Sequence, residues 1–176
     1  MTTKTIDLVA RLFCQATKKT VDKSTGKNLK YAGTLQDIPK VSLKPDIGCF
    51  VQFNGDYSGL VIMNFSGEAA MELYRSYMLT MGMPEDELAT DYTSVEVVDT
   101  IGEMTNQIMG RALRMVESNY ELTSFMGQPK AIALNSAIVL TPESDYQANR
   151  RIAFSLETHR FYMELSLERT EFIPMK

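Results

Sequence analysis

The chain has one histidine, two cysteines and no tryptophan among 176 residues, and these shortages rule out several kinds of chemistry. A Ser-His-Asp or Cys-His nucleophilic site would have to use His159. That residue lies in the short polar stretch Glu157-Thr158-His159-Arg160 between two alternating apolar runs, where an exposed turn residue is expected. Zinc is equally unsupported, with one His and the distant Cys14 and Cys49 as soft ligands. Both cysteines have apolar neighbours, so reduced core thiols are expected rather than a disulfide or a metal pair. No kinase, P-loop or dinucleotide signature occurs. The Glu85-Asp86-Glu87 run has no further carboxylate or histidine at ligand spacing, so it reads as a solvated helix start. No apolar run approaches the twenty or so residues that a membrane span needs, and the first residues form no continuous apolar segment. Neither membrane insertion nor a signal peptide is expected, and the cytoplasm is the expected location.

Charge of one sign is also scarce. Eighteen Lys and Arg against 22 Asp and Glu give a net charge of −4. Only Lys18, Lys19, Lys23, Lys27 and Lys30 cluster, and no aromatics are interleaved with them. They read as a solvated loop, and no nucleic-acid partner is expected. With 44% hydrophobic and 23% charged residues, the chain has the make-up of a soluble globular protein. Its length suits one domain over 1–176 that buries a real core. Twelve methionines would suit an adaptable core or interface.

Apolar spacing predicts a helix over 5–17, with Ile6, Val9, Ala10 and Phe13 as its stripe, then a polar loop over 20–30. The stretch 31–45 is ambiguous, with Val41 and Leu43 as a possible short strand. Residues 47–54 alternate, with Ile47, Cys49, Val51 and Phe53 on one face, and 60–65 form a second strand. The turn between them, Gly55-Asp56-Tyr57-Ser58-Gly59, makes a hairpin whose glycines are expected to supply positive φ. Ser66 is the expected N-cap of a helix to about Met81, ended by Gly82 and Pro84. A long helix follows over 94–119, then a connection over 121–130 and a strand over 131–140. A turn at 141–145 leads to two strands, 151–156 and 161–167, joined through His159; the last residues are expected to fray. Strand runs joined by hairpins indicate an antiparallel sheet with helices packed on it, an α+β domain.

The rest of the chain is arranged around the long helix. Val97, Ile101, Met104, Ile108, Ala112 and Met115 fall on one side of it. Asp99, Glu103, Asn106 and Gly110 fall together on the other, since positions three and four apart are helical neighbours. Two of these are odd for a merely solvated face. Asn106 competes with the helix backbone for hydrogen bonds, and Gly110 costs roughly 1 kcal/mol against alanine. A small residue and a stiff amide beside a carboxylate suit a surface that another protein approaches closely.

Asp99, Glu103, Asn106 and Pro129 fit the pattern [Asp/Ser]-x3-Glu-x2-Asn-x22-Pro without an insertion. In this the chain resembles the CheC/CheX/FliY phosphatases of bacterial chemotaxis. The resemblance implies an internally duplicated fold of helix and strands. It also implies hydrolysis of the aspartyl phosphate of a CheY-type response regulator. Asn106 would position the attacking water and Glu103 would pair with the regulator's lysine. Asp99 and Gly110 would help on the same face, and Pro129 would shape the connection after the helix. No cofactor of its own is implied, because Mg²⁺ would arrive on the phosphorylated regulator. In the first helix Asp7, Arg11 and Cys14 stand at the spacing of Asp99, Glu103 and Asn106. With Arg and Cys in the key places, one site is expected, as in a CheX-like member. A homodimer is expected by the same resemblance, and because strands at the end of the chain leave sheet edges to cover. The alternative is a non-catalytic module on the same fold, similar to CheC or to a flagellar-switch middle domain, that docks a receiver without hydrolysis.

Overall fold

Helix α1 (Thr5–Thr25) continues well past its apolar stripe, through the stretch predicted as loop. Thr17, Thr20, Val21 and Thr25 carry the buried face onward at helical spacing. Their hydroxyls need no water: Thr17 Oγ1 donates to the Phe13 carbonyl at 2.8 Å and Thr25 Oγ1 to that of Val21 at 2.7 Å, leaving the methyls to pack. The helix ends at Gly26, whose φ of 70° is the left-handed cap glycine favours. The lysine cluster is partly engaged inside the molecule. Lys18 Nζ donates to Asp22 at 2.7 Å and to the Leu29 carbonyl at 2.8 Å, and Lys27 pairs with Glu157.

The computed structural model describes residues 4–141 and 147–168. After α1 come β1 (Lys30–Tyr31), β2 (Gln36–Asp37), β3 (Val41–Leu43), β4 (Ile47–Gly55) and β5 (Gly59–Phe65). Helix α2 (Gly67–Thr80), a 3₁₀ turn (Glu85–Glu87) and the long helix α3 (Val95–Tyr120) follow. The chain then forms β6 (Ser124–Met126), β7 (Lys130–Ala133), β8 (Ile138–Leu140), β9 (Gln147–Ser155) and β10 (Arg160–Glu168). The main sheet runs β1-β9-β10-β5-β4-β6, with β2 also on β9 and β7 also on β4, and β3 pairs with β8 in a separate ribbon. Each of these pairings is antiparallel, and the class is α+β as expected.

One face of the sheet carries the main core. Ile47, Cys49, Val51 and Phe53 are all fully buried there, together with Val61, Met63, Ile152, Phe154, Phe161 and Leu165. Register places Phe161 of β10 opposite both Phe65 and Phe154, and the rings stack at 4.7 and 5.1 Å between centroids. Cys14 and Cys49 are free and buried; burial pushes their thiols up to about 12 and about 11, so both stay protonated at neutral pH. The other face is covered by the β3–β8 ribbon, with Val41, Leu43, Leu60 and Ile62 as a second, smaller core. Glu164, fully buried beneath it, is paired with Lys44 and accepts hydrogen bonds from Asn64 Nδ2 at 3.2 Å and the Ser42 amide at 3.1 Å. Residues 30–43 therefore extend the sheet past β9 and cap its second face.

Several expectations need correction. The strand predicted over 131–140 is two strands, β7 and β8, on different sheets, and β6 lies inside the predicted connection. Polar ends and brief pairing left these three- and four-residue strands without a periodic signal. The hairpin glycines do not take positive φ; Gly26 and Gly82 do. Gly55 and Gly59 are needed because backbone crowds them. A Cβ on Gly55 would stand 2.4 Å from the Thr123 carbonyl oxygen, and one on Gly59 2.2 Å from that of Ser166. His159 does sit in the β9–β10 turn, but its Nδ1 is 2.5 Å from Glu72 Oε2 on α2. The predicted turn at 141–145 falls mostly, and the predicted fraying tail wholly, outside the described residues.

Candidate functional site

Ser66 accepts from the Ala69 amide at 3.1 Å and starts α2, whose far end at Thr80 lies beside α3. Helix α3 buries Val97, Ile101, Met104, Ile108 and Ala112, as its spacing predicts, while Met115 is half-buried. Thr100 and Thr105 widen the buried arc, each donating its hydroxyl to the carbonyl four residues earlier at 2.8 Å. What remains outside is the polar face. Asp99, Glu103 and Asn106 are exposed and Gly110 is half-buried.

Glu103 accepts a hydrogen bond from Gln107 Nε2 at 3.2 Å, which fixes the carboxylate over the next turn. The Asn106 carboxamide has no hydrogen-bond partner among the described residues. It is free to bind water on both its carbonyl and its NH₂. A Cβ on Gly110 would meet only Nη1 of Arg114, at 3.4 Å, so this part of the helix backbone is open to approach. Pro129 directly precedes β7, which pairs with β4 and brings Ala131 into ordinary contact distance of Gly102.

The four predicted residues lie on one helix face but border two adjoining depressions. Asp99 and Glu103 flank a groove floored by Met78, Met81 and Met83, and rimmed by further acids, Glu87 and Glu96. Asn106 and Gly110 flank a second depression that also takes in Lys23 of α1 and Arg111 and Arg114 of α3. Tyr77 and Met81 border both, and Met81 is 69% exposed. Sequence reading missed this neighbouring surface. The available signal was the excess of methionines around the end of α2. On the cationic side Arg111 and Arg114 stand on the same helix as Asn106, but Lys23 had no local signal, because it arrives from a distant part of the chain.

The first helix offers no equivalent surface. Cys14 is 1% exposed and Asp7 is held in an ion pair with Arg150, so the Asp7/Arg11/Cys14 echo does not make a second site. Among the described residues, no group of three or more His, Cys, Asp or Glu could hold a metal ion, and no helix is long and apolar enough to cross a membrane. Chemically, the α3 face offers a carboxylate for a cation and, one turn on, an uncharged amide that can hold a water without repelling an anion.

Solved structures with the same fold include a chemotaxis protein CheX from Desulfovibrio desulfuricans. It has a TM-score of 0.74 at 21% identity, over 91% of this chain and 99% of that one. The CheX–CheY–BeF₃–Mg²⁺ complex from Borrelia burgdorferi matches with a TM-score of 0.61 at 15% identity, over 90% and 96%. FliY from Thermotoga maritima matches with a TM-score of 0.65 at 15% identity, over 93% and 91%. No match to the sequence was found among curated proteins. The molecule thus has the CheX-like fold, and over residues 1–176 it belongs to the family described as "Protein of unknown function (DUF3334)".

Proposed function

We propose that this protein accelerates hydrolysis of the aspartyl phosphate of a CheY-type response regulator. The observation that carries the reading is the Glu103/Asn106 pair. Both side chains are exposed one turn apart on the long helix of a CheX-like fold, and Asn106 has no hydrogen-bond partner among the described residues. The Borrelia CheX of the same fold was solved together with CheY, BeF₃ and Mg²⁺, which supports a receiver as the partner.

An acyl phosphate is labile once a water is held in line with the bond to be broken, so positioning can supply most of the needed acceleration. The Asn106 carbonyl accepts a hydrogen bond from the water and its NH₂ donates toward the reacting oxygens, with no charge to repel them. Water attacks phosphorus, the bond to the aspartate oxygen breaks, the aspartate leaves as carboxylate, and the water's proton departs with inorganic phosphate. Glu103 pairs with the regulator's lysine and sets the docking register, with Asp99 and Gly110 on the same contact face. Mg²⁺ is carried by the phosphorylated regulator. The reaction takes place in the cytoplasm, and the protein works as a homodimer. The exposed Phe125 and Ile132 on the edge strands β6 and β7 favour that pairing.

The test is a phosphoryl-lifetime assay. A CheY-type regulator from the same genome is phosphorylated with a small phosphodonor, and its decay is followed with wild-type protein and with Asn106→Ala. Faster decay that disappears in the variant is the expected result. Equal decay with and without the protein, across the regulators of that genome, defeats the reading. Tight binding without any change in lifetime would assign the non-catalytic docking module instead.

A further inference from the structure

Along the exposed face of α3 the side chains change sign in order. Glu96, Asp99 and Glu103 come first, Asn106 and Gly110 stand in the middle, Arg111 and Arg114 follow, and the exposed Glu117 returns to negative charge one turn beyond Arg114. Lys23, in the last turn of α1, adds a cation beside Arg114 in the depression that Asn106 borders. The helix macrodipole favours this polarity only within the first and last turns. In a helix of 26 residues, Glu103 and Arg111 lie well inside those limits, so the dipole does not account for the pattern.

The cations differ in what they do within the molecule. Arg111 is half-buried and its Nε donates to Thr20 Oγ1 at 3.1 Å, so it ties α3 to α1. Arg114 and Lys23 are exposed, and neither has an ion-pair or hydrogen-bond partner among the described residues. Gly110 bears on this directly. Glycine is unfavourable in mid-helix, and the one atom that a Cβ there would meet is Arg114 Nη1. A Cβ would stand at ordinary contact distance from it, 3.4 Å, which places the guanidinium beside Gly110, one turn from Asn106.

We propose that Arg114 and Lys23 are specificity-determining residues: an anion-recognising rim that sets which receiver is accepted and in which direction it docks. The inference rests on the function proposed above. A receiver's phosphorylation site presents a lysine, the phosphoryl group, and the carboxylates that a hard, oxygen-seeking Mg²⁺ requires. Laid along α3, the lysine meets Glu103, the phosphoryl group meets Asn106, and the acidic surface beyond it meets Arg114 and Lys23. The reversed orientation would set cation against cation and carboxylate against Glu103, so the charge order rejects it.

The experiment compares Arg114→Glu and Lys23→Glu, singly and combined, with Lys40→Glu. Lys40 is exposed in the loop before β3, and its reversal makes the same change in net charge. Binding is measured to a CheY-type receiver activated with Mg²⁺ and beryllofluoride, and turnover with the same receiver phosphorylated by a small phosphodonor. Each rim reversal should weaken binding and raise KM roughly tenfold at low salt, with kcat held within about twofold and a flatter dependence on ionic strength. Arg114→Gln should move KM in the same direction by less, and Lys40→Glu should follow wild type. If the rim variants match Lys40→Glu while wild type is active, the rim is overturned and the phosphatase reading stands. A wild-type protein that neither binds nor accelerates any receiver overturns both.

Discussion

Arg150 of β9 donates from Nε to Oδ1 of Asp7 in α1 at 2.9 Å, tying the first helix to the sheet through a guanidinium that is only 8% exposed. Arg150 also reaches the Asn149 carbonyl at 3.0 Å and lies 3.5 Å from Asp37 on β2. Asp7→Ala leaves a buried cation short of its best partner. It should cost about 2 kcal/mol in denaturant unfolding, a cost moderated by the two remaining acceptors. Phosphoryl decay should be unaffected, because Asp7 ties α1 to the sheet and does not belong to the α3 face.

Asn106→Ala should remove catalysis without removing structure. The side chain is exposed and makes no hydrogen bond among the described residues, and alanine is the better helix former. The melting temperature should hold or rise slightly. The decay rate of the phosphorylated regulator should fall by about a hundredfold or more, to the rate of the regulator alone. A melt and a lifetime assay on the same preparation separate the two.

Glu103→Gln keeps the size of the side chain and removes its charge. If Glu103 pairs with the regulator's lysine, binding should weaken by about tenfold, the scale of a lost charge-assisted contact. The stability cost should be under about 0.5 kcal/mol, since the Gln107 contact is a surface one. Titration against a beryllofluoride-activated receiver reads the first effect and urea unfolding the second.

Gly59→Ala tests why the β4–β5 hairpin uses glycine. Its Cβ would stand 2.2 Å from the Ser166 carbonyl oxygen and 2.8 Å from Phe53 Cζ, so β5 and β10 must separate at that point. A loss of about 2–3 kcal/mol is expected, with no left-handed strain involved. Gly33→Ala, where a Cβ meets nothing within 4 Å, should change stability little.

The Glu72 carboxyl is expected to couple stability to acid pH. Burial pushes its proton affinity up, but the Thr158 amide, at 3.0 Å, and His159 together outweigh this and hold it below the ordinary carboxylate range. A carboxyl with a depressed folded value stabilises the fold fully above its unfolded value, near 4.5, and loses that contribution as pH falls through the folded one. The stability difference between wild type and Glu72→Gln should therefore be largest near neutrality and shrink below about pH 4.5. Urea midpoints from pH 7 to pH 3 give the measurement.

Much of this was legible in the residues themselves. Alternation of Ile47, Cys49, Val51 and Phe53 marks a half-buried strand, because every second side chain shares a face. The 3.6-residue period of α3 separates its buried side from Asp99, Glu103 and Asn106 in the same way. The α+β class followed from these local periods. Threonine obscured the second half of α1: a residue that can bury its methyl while its hydroxyl bonds the preceding turn reads as polar in a sequence. The short strands β6, β7 and β8 were lost because three or four residues hold too few repeats to show a period.

Sequence by itself determined which helix carries the amide and carboxylate and which of its sides faces out, since burial periodicity is a local property of the chain. Tertiary structure alone decided what stands beside them. Packing of α1 against α3 brings Lys23 to the depression that Asn106 borders, and the end of α2 supplies the methionine groove beside Glu103. It also decided that Cys14 is an interior residue and that Asp7 is tied to Arg150, so that they make no second site. Such contacts join positions far apart in the chain. They are set by helix packing and strand register, to which no local spacing corresponds.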